Sequence, residues 1–373
     1  MPEVKTVKRK VLRIMKRRTF VKVLLLSLIT ALAAFAVIGC GDESESENAG
    51  DAGGNGASTD PIVVVWYPNE SSTDYEGARN EFGRFVTEAT GRPVEHSLTT
   101  DYVIALEALA SGAADIGAMM GPVGFIEVQE RSPDVGILFV PSGPSGTLED
   151  AVYFSWFVVP EADADNFKVD GEFSIENIED TRMSFVSNSS TSGFVIPSSA
   201  IITEFGQTSE WADIDEDDLV GPGADFFSEV LFGQSHQGTA FNVISGRADV
   251  GTVADVIMDT YFELVEGERN AVGAVYQVRE GAGAPFDTVV GERMTLIESI
   301  PVFNGPFSYN PANLSAEEIQ AIIDIFTSEE AANNEYFFTT EDGASAFYTK
   351  TEDERFLTVD DAWYDPIRRM MGL

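Results

Sequence analysis

The stretch SNSSTSGFVIPSS, residues 187–199, sets hydroxyls and a glycine ahead of an apolar run and holds no Lys or Arg. Downstream, Phe194, Val195, Ile201, Ile202 and Phe205 recur at helical spacing and Gly206 supplies a stop, which predicts a helix over 193–205. Pro197 has no N–H and is tolerated only in a first turn, so the helix begins within about one turn before it. Upstream, MSFVS (183–187) reads as a short strand. The order is strand, Ser/Thr-rich loop, helix. Unpaired N–H groups at a helix start attract an anion, and the helix dipole adds to them. Hydroxyls rotate to donate as well. Ser and Thr are also the usual helix caps. One such residue suffices for a cap, whereas Ser189, Ser190, Thr191 and Ser192 are four in a row. On the loop alone, cap and anion site both stand.

The N-terminal segment gives an address. MKRRTFVKVLLLSLITALAAFAVIGC (15–40) has a basic start and a charge-free run over 23–39 that ends at Cys40. This is the pattern of an export signal. An uncleaved anchor is the other reading of an apolar run just long enough to span. VIGC resembles a bacterial lipobox, with Val37 where Leu is commoner. The resemblance implies cleavage before Cys40 and lipid on its sulfur. Cys40 is the only cysteine, which excludes a disulfide within the chain and argues against thiol catalysis or a Cys-ligated metal. Residues 41–60, GDESESENAGDAGGNGASTD, lack any aromatic or large aliphatic side chain and cannot join a core. They read as a disordered acidic tether reaching on the order of 25 Å.

Charge narrows the partners. Residues 1–39 hold nine basic residues and one acid; without them, 14 basic and 61 acidic residues remain, a net of −47. Such a field argues against nucleic acid and against direct docking on anionic lipid. It suits a salt-rich habitat, where repulsion is screened. An anionic ligand has to be held by local dipoles against this field.

Residues 61–373 exceed one typical core and predict two lobes. Strands alternate with helices: PIVVVWYP (61–68), a helix over 74–90 stopped by Gly91, PVEHSLT (93–99), a helix over 102–111, ADIGAM (114–119), a helix near 122–131, VGILFVP (135–141) and AVYFSWFVVP (151–160). The alternation predicts an α/β fold with mostly parallel sheets. ALASGAADIGAM (108–119) is echoed by NVISGRADVGTV (242–253). Each reads as a helix end, a Gly just past it, Ala-Asp and a short strand. A separation of 134 residues is too long for a solenoid repeat and suits one such unit in each lobe.

These features occur in the order seen in one family. Residues 68–70 (PNE), the segment from Asp101 and Tyr102 to Asp115, Gly121-Pro122, Ser190-Thr191-Ser192-Gly193 with Pro197, His236, and the segment from Gly246 to Gly251 resemble the substrate-binding proteins of ABC importers for phosphonate, phosphite and phosphate. The likeness covers about 60–330. It implies a hinged, two-lobe periplasmic-binding-protein fold of type II, with two crossover strands. YFSWFVVP (153–160) and MTLIESIPVF (294–303) are the expected crossovers. Lobe one is then 61–155 plus 301–373, and lobe two 156–300. A phosphorus oxyanion sits between them.

Carried over residue by residue, the resemblance puts Ser190, Thr191 and Ser192, with the backbone around Gly193, on the phosphorus oxygens. Tyr102 answers from the other lobe, and His236 is the ligand histidine. Where relatives carry a ligand tyrosine, GPVGF has Phe125, which cannot donate. Near the second crossover, where some relatives place an acid, the chain offers Asn304. Aminoalkylphosphonate binders use acids to hold the amine; Asp255 either partly fills that role or faces solvent. These departures favour phosphate, phosphite or a small alkylphosphonate. The implied partners are an ABC permease and ATPase, with the membrane reached through lipid on Cys40. The implied location is extracytoplasmic. No cofactor, metal or nucleic acid is expected. A Ser192–His236–Asp255 hydrolase is the rival class, but no G-x-S-x-G elbow, P-loop or HExxH motif accompanies it. A sensor or scavenging lipoprotein, uncoupled from an importer, would carry the same residues.

Overall fold

The computed structural model describes residues 60–69, 75–340 and 346–373. The export signal, Cys40, residues 41–59 of the tether and Glu70 lie outside them. The apolar run Ile62–Trp66 forms β1, with Ile62, Val64 and Trp66 facing one core and Val63 and Val65 the other. α1 (Glu76–Thr90) ends at Gly91, whose φ of 72° takes the left-handed cap that an L side chain resists. β2 (Val94–Leu98), α2 (Tyr102–Ala110), β3 (Ile116–Ala118), α3 (Pro122–Arg131) and β4 (Gly136–Pro141) follow. Each lies within about two residues of its sequence expectation.

β5 (Val152–Pro160) then carries the chain into a second sheet built from β6 (Arg182–Phe185), β7 (Glu229–Phe232), β8 (Val250–Ala254), β9 (Phe262–Glu266), β10 (Val275–Val278) and β11 (Arg293–Phe303). The main helices of this region are α4 (Ile196–Phe205), α5 (His236–Ile244) and the short α6 (Asp255–Met258). The chain returns through β12 (Phe307–Tyr309), α7 (Ala316–Phe326) and β13 (Phe356–Leu357).

The first sheet has the order β13-β4-β12-β3-β1-β2 and the second β9-β10-β11-β5-β8-β6-β7. This is the expected two-lobe α/β fold, with both sheets mixed rather than mostly parallel. The pairs β1–β2, β1–β3, β6–β8 and β6–β7 are parallel, as strands joined through helices must be. Antiparallel pairing comes from the crossovers, from the β9–β10 pair and from the returning strands β12 and β13. β5 and β11 run side by side over their whole lengths, from Met294 opposite Pro160 to Phe303 opposite Val152. A strand leaving a lobe and one returning beside it are necessarily antiparallel, a relation no local signal encodes.

Each sheet is covered on both faces. In the first lobe, Phe82, Phe85, Phe139, Phe307 and Phe326 fill one side, and Leu106, Leu109, Val123 and Val140 the other. In the second, Trp156 and Val158 point to one core and Phe157 and Val159 to the other. Each fully buried side chain of this size contributes about 1.5–3 kcal/mol.

The internal echo is one structural device used twice. Gly112 and Gly246 both take positive φ past a helix end. Asp115 Oδ2 accepts the N–H of Val63 at 2.8 Å, and Asp249 Oδ2 accepts the N–H of Arg182 at 2.8 Å, so each aspartate ties its unit to the neighbouring parallel strand. At Gly117 and Gly251 a Cβ would stand 2.6 Å from Leu109 and 2.5 Å from Val243, so glycine lets helix and strand close up. Both units deliver a strand end and a following helix start, α3 and α6, to the space between the lobes.

Candidate functional site

Pro197 organises the loop that follows β6. The lost N–H leaves the carbonyl of Gly193 without a helical donor. That oxygen instead accepts the N–H of Val186 at 3.1 Å and the hydroxyl of Thr252 at 2.9 Å. Residues 191–195 therefore form a wide turn, with Val195 N–H bonded to Ser190 O at 3.0 Å and Ile196 N–H to Thr191 O. Such i→i−5 turns recur at functional sites. The regular helix begins at Ile196, three residues later than the sequence spacing predicts. The shift frees the carbonyl of Ser192, which accepts the hydroxyl of Ser155 from the crossover β5 at 2.7 Å. Ser190 Oγ caps Gly193 N–H at 3.1 Å. The N–H groups of Thr191 and Ser192 take no hydrogen bond among the described residues.

Against this loop lies a cavity of about 70 Å3. Ser189, Ser190, Thr191, Ser192, His236 and Val256 line it from the second lobe, Asn69, Tyr102, Gly121 and Asn304 from the first, and Tyr153 from the crossover β5. Among the described residues its lining includes no Lys, Arg, Asp or Glu. The first residues of α2, α5 and the 191–195 turn, with Gly121 just ahead of α3, all reach it, so several helix N-termini converge on one point.

His236 is held as a neutral donor. Its Nδ1 accepts the N–H of Ala254 at 3.0 Å, which leaves the ring proton on Nε2. Burial pushes its pKa down to about 3. Tyr153 stands within hydrogen-bonding reach of the Ser192 and Thr191 hydroxyls, and burial raises its pKa. Tyr102 donates to Asn69 Oδ1 at 2.7 Å, and Asn69 Nδ2 donates to Met119 O at 2.9 Å.

The lobes meet across this cavity. Val123 N–H donates to Thr191 Oγ1 at 3.0 Å, and His236 N–H to Asn69 O at 3.1 Å. Farther out, Tyr75 Oη and Thr260 Oγ1 are 3.1 Å apart, and Thr349 Oγ1 donates to Asp259 Oδ2 at 3.2 Å. Neutral donors from two lobes around a small cavity suit a compact oxyanion, because they stabilise it without burying a cation.

Comparison with known proteins bears on this arrangement. The family model described as "ABC transporter, phosphonate, periplasmic substrate-binding protein" matches residues 64–364. The chain belongs to this phosphonate-binding family. It is 23% identical over 201 residues, 53% of its length, to the phosphate-import protein PhnD of Mycolicibacterium smegmatis, and the match spans 56% of that protein, about half its length. Among solved structures, it resembles a binding-protein component of an ABC phosphonate transporter from Pseudomonas aeruginosa, with a TM-score of 0.60 and 19% identity over 84% of this chain and 86% of the other. It also resembles PhnD1 of Prochlorococcus marinus in complex with methylphosphonate, with a TM-score of 0.60 and 14% identity over 84% and 97% of the two chains. At these identities the likeness is one of fold.

In this family member, five of the seven residues expected at the ligand site line one cavity: Tyr102, Ser190, Thr191, Ser192 and His236. Gly193 does not. It lies behind the loop, where a Cβ would stand 2.3 Å from Val186, and its role is to let the turn close on β6. Asp255 does not line the cavity either. It is buried, with Oδ1 accepting the N–H of Phe154 at 2.8 Å and Oδ2 3.8 Å from Arg269. Burial raises its pKa to about 6. The acid expected to face an amine or solvent is thus turned into the second lobe. Because Ala254 takes His236 Nδ1, Asp255 does not orient the imidazole, and the Ser192–His236–Asp255 triad is not formed. Phe125 is buried against Tyr364, with ring centroids 5.5 Å apart, as a residue that cannot donate to a ligand.

Sequence reasoning missed Tyr153 and Asn69 as site residues. Tyr153 opens an apolar crossover and reads as core. Asn69 follows β1 directly, and the rule that ligands bind at the carboxyl ends of α/β strands points to it.

Proposed function

We propose that this protein is the extracytoplasmic solute-binding lipoprotein of an ABC importer. It takes phosphate, phosphite or a small alkylphosphonate between its lobes and closes on it by a hinge at the β5 and β11 crossovers. The observation that carries this reading is the cavity: hydroxyls, helix N-termini and a neutral His236, with no charged residue in its lining among the described residues. Size supports it as well. A water needs about 10–15 Å3 of such space, so the cavity has room for a few non-hydrogen atoms, on the scale of phosphate or methylphosphonate rather than of a large solute. Among the described residues no carboxylate lines the cavity, which favours an oxyanion without an amine. Lipid on Cys40 holds the chain at the membrane, and a permease and ATPase receive the ligand.

Calorimetry against phosphate, phosphite and methylphosphonate is the test. Binding is expected for at least one of them. Thr191→Ala and Ser192→Ala are each expected to weaken it by about 1.5–3 kcal/mol, the loss of a hydrogen bond to a charged ligand. Unchanged affinity in both variants would place the site elsewhere.

A further inference from the structure

Contacts between the lobes divide by what they adjoin. The inner ones, Val123 N–H to Thr191 Oγ1 and His236 N–H to Asn69 O, involve residues that line the cavity. The outer ones join Thr349 Oγ1 to Asp259 Oδ2 at 3.2 Å and Tyr75 Oη to Thr260 Oγ1 at 3.1 Å. Among the described residues none of these last four lines the cavity, although the nearby Tyr348 and Ile257 do. The outer contacts therefore close just beyond the rim of the ligand's space.

The second-lobe half of this outer set is organised within its own lobe. Asp259 follows α6 directly. Its carboxylate takes both arms of the Arg269 guanidinium, Nη1 to Oδ1 at 2.6 Å and Nη2 to Oδ2 at 2.8 Å. Such a paired fork fixes the orientation of the carboxylate. Arg279 Nε donates to Asp259 O at 3.1 Å and to Phe262 O at 2.8 Å, which ties down the turn that carries Thr260. Both arginines belong to the second lobe, so the turn keeps its shape when the lobes part. Thr349 and Tyr75 then meet partners that are already oriented, and little freedom is lost in joining them. α6 sets this turn beside the site. Val256 and Ile257 in that helix line the cavity, and Asp255 at its start accepts the N–H of Phe154 in the crossover β5.

We infer that Asp259, positioned by Arg269, and Thr260 form an interlobe clasp that stabilises the closed protein whatever ligand the cavity holds. Apparent affinity is the intrinsic affinity scaled by the fraction of the chain in the binding-competent state. The clasp adds to the closed fraction and does not touch the ligand. It raises affinity for every ligand by one factor and leaves selectivity to the serine loop and His236. This rests on the reading of the cavity as an oxyanion site closed by a hinge, and adds the residues that set how firmly it closes.

The experiment is calorimetry and stopped-flow fluorescence on the full chain with phosphate, phosphite and methylphosphonate. It compares wild type with Thr349→Val, Thr260→Val and the double variant. Valine keeps the size of threonine and removes the hydroxyl. The double variant is expected to bind each ligand that the wild type binds about tenfold more weakly, by the same factor for each and through faster release. Thr349→Ser keeps the hydroxyl and is expected to retain wild-type affinity. Wild-type affinity in the double variant would overturn the inference. So would a loss that differs more than about threefold between ligands, because these residues would then act on the ligand itself. Thr349→Ser binding as weakly as Thr349→Val would overturn it too, since packing rather than the hydroxyl would be at work. All three outcomes leave the oxyanion reading standing. Binding of none of the three ligands by the wild-type chain would overturn that reading and the clasp with it.

Discussion

Gly121 and Thr191 touch across the cleft, and the contact leaves no room for a side chain on the first. A Cβ at Gly121 would stand 2.5 Å from Thr191 Oγ1, the oxygen that accepts the N–H of Val123 at 3.0 Å. The two residues belong to different lobes, so the conflict arises only where the lobes meet.

Gly121→Ala is therefore expected to leave folding intact and to oppose closure. Gly121 already has φ −70° and ψ 161°, which alanine adopts freely. Ligand affinity should drop at least tenfold with an unchanged thermal midpoint in the absence of ligand. Calorimetry and a melting curve on the same preparation check it. Wild-type affinity would mean that the lobes bind without this contact.

His236 makes stability depend on pH with a definite sign. Burial lowers its pKa from 6.5 to about 3, so between those values the unfolded chain binds the proton and the folded chain does not. Its contribution is complete above about pH 6.5 and is lost as pH falls toward 3, at about 1.4 kcal/mol per unit. Asp255 acts in the opposite direction. Its pKa is raised from 3.8 to about 6, so its folded form gains as pH falls through that window. His236→Asn keeps an acceptor for Ala254 N–H and removes both the titration and the Nε2–H donor. Denaturant unfolding at a series of pH values should show a shallower acid loss than wild type. Ligand affinity should fall ten- to a hundredfold. An unaltered acid limb in the variant would show that His236 already titrates normally in the folded chain.

Salt should not weaken binding. The net charge of −47 outside residues 1–39 repels an anion from a distance, and among the described residues no Lys or Arg lines the cavity. The Debye length shrinks from roughly 8 Å at 0.15 M salt to about 3 Å at 1 M, which screens the repulsion more than the short-range donors. Affinity for the oxyanion is expected to hold or rise in a sodium chloride titration. A tenfold fall would reveal a dominant basic group.

The VIGC segment predicts lipid on Cys40. In cells fed labelled palmitate, the wild-type chain should carry the label. Cys40→Ser should lose it and either be released or accumulate as the precursor. Label persisting on Cys40→Ser would remove the lipoprotein reading.

What the sequence determined is local. The Ser190-Thr191-Ser192 loop, the helix starts at Tyr102 and His236, the stop at Gly91 and the Asp115 and Asp249 units are written in runs of a few residues. Caps, turns and apolar periodicity act over that range, so they are legible without knowing what lies opposite. The alternation of strands and helices likewise gave the α/β class. The tertiary structure decided which of those residues share a cavity and which way each points. Asp255 follows Ala254 at the end of β8, yet it turns to Phe154 and Arg269, because β5 and Arg269 supply its partners there. Tyr153 reads as one aromatic in an apolar crossover, and only the pairing of β5 with β8, Ser155 opposite Ala254, brings it to the serine loop. The hydroxyl of Tyr102 is oriented by Asn69, 33 residues earlier, and the amide of Asn304 by Pro141, 163 residues earlier. Hydrogen-bond direction and strand register depend on groups distant in the chain, and no pattern confined to neighbouring residues encodes them.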